Sequence, residues 1–152
     1  MKRVSLIIVA LLAYLSVGAT TPAERFMLEY EEVKGAKNIN VKGGTIVFAR
    51  PTLKKYPIGP MSDLVTEITQ LNMSKASDAE KERFQNEVEK MLKQYRYYGE
   101  SGSPNGVVDV YVHLKTDRMV DELISYNRKL LIISSLIGDF PVDDLLKLNH
   151  KQ

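Results

Sequence analysis

Two histidines, His113 and His150, and no cysteine carry what little acid–base or metal chemistry the 152-residue chain offers. The absence of cysteine removes disulfides, thiolate nucleophiles, Cys-bound zinc and iron–sulfur clusters together. His113 lies in an alternating run, on the side that also carries Asp109, Tyr111 and Lys115. Proton transfer needs a partner in space, and Asp121 or Glu122 on the following strand could supply one, as in a small hydrolase or transferase. The plainer reading is a surface histidine on a strand. Asp139, Asp143 and Asp144 lack the spacing of a calcium loop, and two of them suit the first turn of a helix. Gly43-Gly44 is followed by no phosphate-loop pattern, and no GxSxG, SxxK or HExxH occurs. The expectation is therefore no catalytic residue, no cofactor and no metal.

Two aromatic groupings remain. Tyr97 and Tyr98 could stack on sugars, since aromatic faces are broad and rigid; the plainer reading is a strand with alternating tyrosines. With Tyr111 and His113 they form the candidate interaction surface. Arg50, Lys54, Lys55 and Tyr56 make a small basic-aromatic group that could touch an anionic partner, and a solvated loop is the expectation.

The elements that must place these residues are legible in part. Thr21-Pro22-Ala23-Glu24 is a capping box with Pro at the first helical position, and Phe26, Met27, Tyr30 and Val33 follow on one helical face, with Gly35 placed to end it. Glu24, Glu31 and Glu32 are expected on the wet face. Lys37–Val41 alternates as a short strand. Thr45–Phe48 fits either strand or helix. Arg50–Met61 holds three of the six prolines and predicts a loop with at most one helical turn. Residues 64–73 fit both helix and strand, and their β-branched content predicts strand from about Val65. Ser77-Asp78-Ala79-Glu80 caps the clearest helix, to about Tyr95, with Phe84, Val88, Met91, Leu92 and Tyr95 as its core stripe and Glu89–Lys93 as a surface pair. Gly99–Gly106 reads as a turn-rich loop.

Val107–Lys115 shows strict period-two alternation. Val108, Val110, Val112 and Leu114 are expected to face the core, and the His113 side to face water. Met119–Tyr126 and Lys129–Ile137 predict two further strands. Gly138–Pro141 is expected to stop the sheet, with Asp139 near the cap of a short last helix.

Met1–Ala19 joins a basic start (Lys2, Arg3) to an apolar run, Val4–Val17, and a small-residue end, Val17-Gly18-Ala19. These are the marks of a cleaved export signal. A lipoprotein would need a cysteine there, so no membrane anchor is expected after cleavage, and the mature chain is expected to be periplasmic or secreted. The sequence pI of about 8.7 overstates its charge. Without Lys2 and Arg3 the 21 basic residues become 19, equal to the 19 acidic ones, which gives no general argument for nucleic acid or an anionic membrane as partner.

The order of elements, with Phe26…Tyr30 early and Gly138-Asp139-Phe140-Pro141-Val142-Asp143-Asp144-Leu145 at the close, resembles small exported Bacteroidetes proteins grouped as domain-of-unknown-function family 4252. That resemblance implies an exported α+β domain and some link to envelope stress regulation, and it supplies no catalytic residues. The residues themselves predict the same class: residues 1–19 as signal, 20–148 as one α+β domain, and 149–152 as a frayed tail. The domain is expected to be a mainly antiparallel sheet with two longer helices on one face and a short C-terminal helix. The expected role is a non-enzymatic binding or interaction module of the cell envelope, its partner another envelope protein or a glycan. A concave bare sheet face would favour binding; a flat apolar one would favour a dimer.

Overall fold

The computed structural model describes residues 21–149; the expected export signal and residues 150–152 lie outside the described residues. Six strands form one antiparallel sheet there: β1 (Lys37–Lys42), β2 (Val65–Asn72), β3 (Arg96–Ser103), β4 (Gly106–Thr116), β5 (Met119–Asn127) and β6 (Ile132–Pro141). Their order across the sheet is β1-β2-β6-β5-β4-β3. The last strand thus returns to pair with both β2 and β5. Helices α1 (Pro22–Glu29) and α3 (Asp78–Leu92) pack on one face. Helices α2 (Ile46–Leu53) and α4 (Val142–Asn149) lie on the other. The fold is α+β, with the two-helix layer and the short C-terminal helix that the sequence predicts.

The helix-covered face holds the larger core. Thr21 caps α1, its Oγ1 accepting from the Glu24 amide at 3.2 Å, and Ser77 caps α3 by accepting from the Glu80 amide at 3.3 Å. The caps fix where each helix starts, and so which side chains point inward. Phe26, Tyr30 and Phe84 meet in tilted and edge-on contacts at 5.1–5.6 Å between ring centres, and Tyr126 of β5 closes the group at 6.0 Å from Phe84. Val88, Met91, Leu92 and Tyr95 continue the stripe over Leu71, Ile124 and Ile133 of the sheet. Beyond α1, Gly35 takes φ +88°, and a side chain there would run into the Lys75 carbonyl.

Several expectations need correction. The row Val108, Val110, Val112 and Leu114 faces away from the two-helix layer. Period two fixes which residues share a face, but not which face the helices choose. Glu24 is not on the wet face; it is 7% exposed and turned toward the sheet. Residues 46–53 form a helix despite Pro51. The carbonyl that Pro51 cannot satisfy belongs to Val47, on the helix's exposed side, where water can reach it. Most of Gly99–Gly106 is strand, because β4 is long enough to pair β3 out to Ser103, with a bulge between Tyr97 and Gly99. Asp139 caps nothing: β6 runs on to Pro141, since Phe140 is fully buried and pairs with Val120. Glu89 pairs with Arg128 across the turn after β5.

Candidate functional site

The four residues singled out by sequence occupy three places. Tyr97 and Tyr111 are register partners on β3 and β4, with ring centres 5.3 Å apart and planes at 63°. The Tyr111 hydroxyl accepts from Arg128 at 3.1 Å, and Arg128 also pairs with Asp109 and Glu89 and lies over the Tyr126 ring. That patch satisfies itself. Tyr98 points to the opposite face, against the smaller core, so Tyr97 and Tyr98 form no common stacking platform. His113 sits farther along β4, with Nδ1 2.7 Å from Asp121 Oδ1 on β5.

Beside His113 opens a cleft of about 340 Å³, lined also by Thr21, Tyr95, Asp121 and Glu122. Its inner end is closed by a bridge. The Tyr95 hydroxyl donates to Glu122 at 2.6 Å and accepts from the Ala23 amide at 3.0 Å, tying the end of α3, the start of α1 and β5 together. Glu122 is only 2% exposed. Burial raises its pKa, and the Tyr95 hydrogen bond offsets part of that rise. Glu24 comes close to Glu67 and Glu122. Burial first, then the two neighbouring carboxylates, push its pKa up from the usual 4.5 to about 7, with Lys42 pulling the other way. The sequence offers Glu122 only as a partner for His113 and places Glu24 on the wet face, so the burial of both was missed, although one signal was there. Glu122 alternates with Ile124 and Tyr126 on the core side of β5, and a charge on a core-facing position needs a partner.

The sign of the pH effect follows. A carboxyl with a higher pKa in the folded state holds more protons folded than unfolded between the two values, so stability falls as pH rises from about 4.5 to about 7. At 1.36 kcal/mol per pKa unit the ceiling is about 3 kcal/mol; water that reaches the partly exposed Glu67 beside it reduces this to about 1–2 kcal/mol. The protein is therefore expected to unfold at lower urea at pH 8 than at pH 5. Glu24→Gln should flatten that dependence and be the more stable protein at pH 8. An unchanged slope in the variant would remove Glu24 as its cause.

The second face of the sheet holds a larger feature. The smaller core (Ile46, Leu53, Met61, Val65, Val112, Leu123, Phe140, Leu145) seals only part of this face. The rest is a cavity of about 360 Å³, roofed by Ala49, Thr52 and Leu53 of α2, by Tyr56 and Ile58 after it, and by Leu145 and Leu148 of α4. Strand register builds its floor in rows. Ile68, Leu136 and Leu123 are neighbours across β2, β6 and β5, as are Gln70, Ser134 and Ser125. An apolar row thus lies beside a polar one. Val108 and Val110 extend the floor toward β3, and Tyr98 stands in the same wall with its hydroxyl buried and unpartnered among the described residues. This size and this mix of apolar surface with a few polar groups are those of a small-molecule site. Of the valines that the sequence assigns to the core, Val112 is buried in the smaller core, while Val108 and Val110 line the open cavity. Among the described residues, no group of three or more His, Asp or Glu side chains is arranged to hold a metal ion, and no helix is long and apolar enough to cross a membrane.

Comparison of the chain with family models, curated proteins and solved structures finds no match.

Proposed function

We propose that this protein is a non-enzymatic binding module that takes one small, mostly apolar molecule into the cavity on the valine face of its sheet. The observation that carries the reading is the cavity itself: about 360 Å³, apolar on floor and roof, crossed by the row Gln70, Ser134 and Ser125. Apolar walls supply affinity in proportion to the surface they hide from water. The polar row selects a ligand with a hydrogen-bonding group, because apolar ligands without one leave those side chains dry and unpaired. Of the described residues around the cavity only Glu100 is charged, and none of them has the acid–base pairing that turnover needs.

The His113–Asp121 pair supports the hydrolase reading less well. The cleft beside it offers Tyr95 and Thr21 as hydroxyls, and each is already engaged, Tyr95 with Glu122 and Thr21 as the α1 cap. The glycan reading loses its shared tyrosine platform. Export and an envelope setting rest on Met1–Ala19 and on the resemblance to family 4252, and we carry both forward as part of the proposal.

A titration with the apolar fluorophore 1-N-phenylnaphthylamine tests the reading, followed by competition with medium-chain fatty acids and fatty alcohols. Saturable enhancement at one site per chain, reversed by competitors that carry a polar head, is expected. Enhancement that never saturates, or none at all, would contradict a preformed site.

A further inference from the structure

Helix α2 is apolar in two directions. Ile46, Ala49 and Leu53 face inward, onto the smaller core and the cavity. Val47 and Phe48 face outward, 49% and 82% exposed. In the helix sequence IVFARPTL only Arg50 and Thr52 are polar. A helix apolar on both sides is ordinarily covered on both, and adjacent large apolar side chains at a surface mark an interaction site.

Along the chain, the segment that forms this helix carries charge of one sign, and Asp63 is the acid beside it. From Gly43 to Pro60 the chain carries Arg50, Lys54 and Lys55 and no acidic residue, although acids and bases balance over the chain beyond Lys2 and Arg3. Arg50 is partly buried and held by Asp63, donating to its carbonyl at 3.2 Å and lying 4.0 Å from its carboxylate. Among the described residues Lys54 and Lys55 are exposed and no ion pair engages them. Two protruding apolar side chains are too few for a stable protein interface, which takes on the order of 1,000 Å². They suit shallow insertion between lipid headgroups, where nearby cations add attraction to an anionic leaflet.

We propose that α2 docks reversibly on the surface of an anionic lipid bilayer. Phe48 and Val47 enter the interface while Lys54 and Lys55 rest on headgroup phosphates and Arg50 stays held by Asp63. The inference does not depend on the cavity having a ligand, since it stands on the outer side of α2. The same helix roofs the cavity with its inner side, so docking would set the cavity against the membrane.

The test uses the chain from Thr21. Both cores lie within residues 21–149, and the apolar run Val4–Val17, which would bind lipid by itself, is left out. Co-flotation is measured with vesicles of equal parts phosphatidylglycerol and phosphatidylcholine, and with vesicles of phosphatidylcholine alone. At low salt, affinity for the anionic vesicles should exceed that for the neutral ones by about tenfold or more, and about 0.5 M NaCl should erase most of the difference. Phe48→Asp should weaken binding to the anionic vesicles by about tenfold or more. The double variant Lys54→Glu/Lys55→Glu, at exposed positions off the packed face, should lose the preference for anionic lipid, and it serves if the Phe48 variant fails to fold. Absent binding to anionic vesicles, equal binding to both kinds, or undiminished binding by the folded Phe48 variant would each overturn the proposal. So would saturable capture by an envelope protein without vesicle binding, which would assign the patch to a protein partner.

Discussion

Phe84→Ala is expected to lower the unfolding free energy by about 3–5 kcal/mol, the range for removing a large aromatic side chain from a packed core. Phe84 is fully buried and is the one ring that touches Phe26, Tyr30 and Tyr126 together. It joins α3 to α1 and both to β5. Its loss removes aromatic contacts worth about 0.5–1.5 kcal/mol each beyond area burial, and it leaves a void between helices whose capped ends limit how far they can close in. Urea unfolding followed by circular dichroism gives the value. A loss under about 1 kcal/mol, below the range for such truncations, would mean that the two-helix layer does not pack on this face as described.

Ser134→Trp should abolish binding of the apolar fluorophore, weakening it by about 100-fold or more, equivalent to about 2.7 kcal/mol or more. Ser134 lies at the centre of the polar row, between Gln70 and Ser125, and faces the cavity. An indole there occupies the space a ligand would take. Because the cavity is open, the added side chain meets less of the strain that overpacking a closed core brings, and stability should change by about 1 kcal/mol or less. Tyr97→Ala, on the helix-covered side of the sheet edge, is the matching control and should bind the fluorophore as the parent does. Loss of binding in both, or in neither, would move the site away from the valine face.

The fold was legible where a local pattern has one structural solution. Two capping sequences located α1 and α3. The Phe84–Tyr95 stripe identified the buried side of α3. Alternation gave β4 and its shared-face residues. It failed where the answer is set by distant chain. Nothing within Val107–Lys115 says which face α1 and α3 will cover, so the whole valine row was expected in a closed core, and the open cavity over Val108 and Val110 was hidden by that expectation. Pro51 misled for a related reason: a proline's cost depends on whether the stranded carbonyl is wet, which is a tertiary fact. The candidate site fared worse than the fold. Tyr97 and Tyr98 are neighbours in sequence, and a strand sends neighbours to opposite faces. The polar row Gln70, Ser134 and Ser125 comes from three strands brought together by β6 returning between β2 and β5, and no local spacing encodes it. Glu122 was the readable exception, a charge placed among core-facing residues.

The central claim is that the ligand seat lies on the valine face, under α2 and α4. Methyl-labelled NMR during a titration with 1-N-phenylnaphthylamine, and then with a bound fatty alcohol, tests this most directly. The account predicts saturable shifts for the methyls of Ile68, Val110, Leu123 and Leu136, which floor the cavity, and for Leu145 in its roof. Val88 and Ile133, buried beneath the two-helix layer, should stay close to their starting positions. Shifts concentrated on Val88 and Ile133, or spread evenly over both sets, would contradict it.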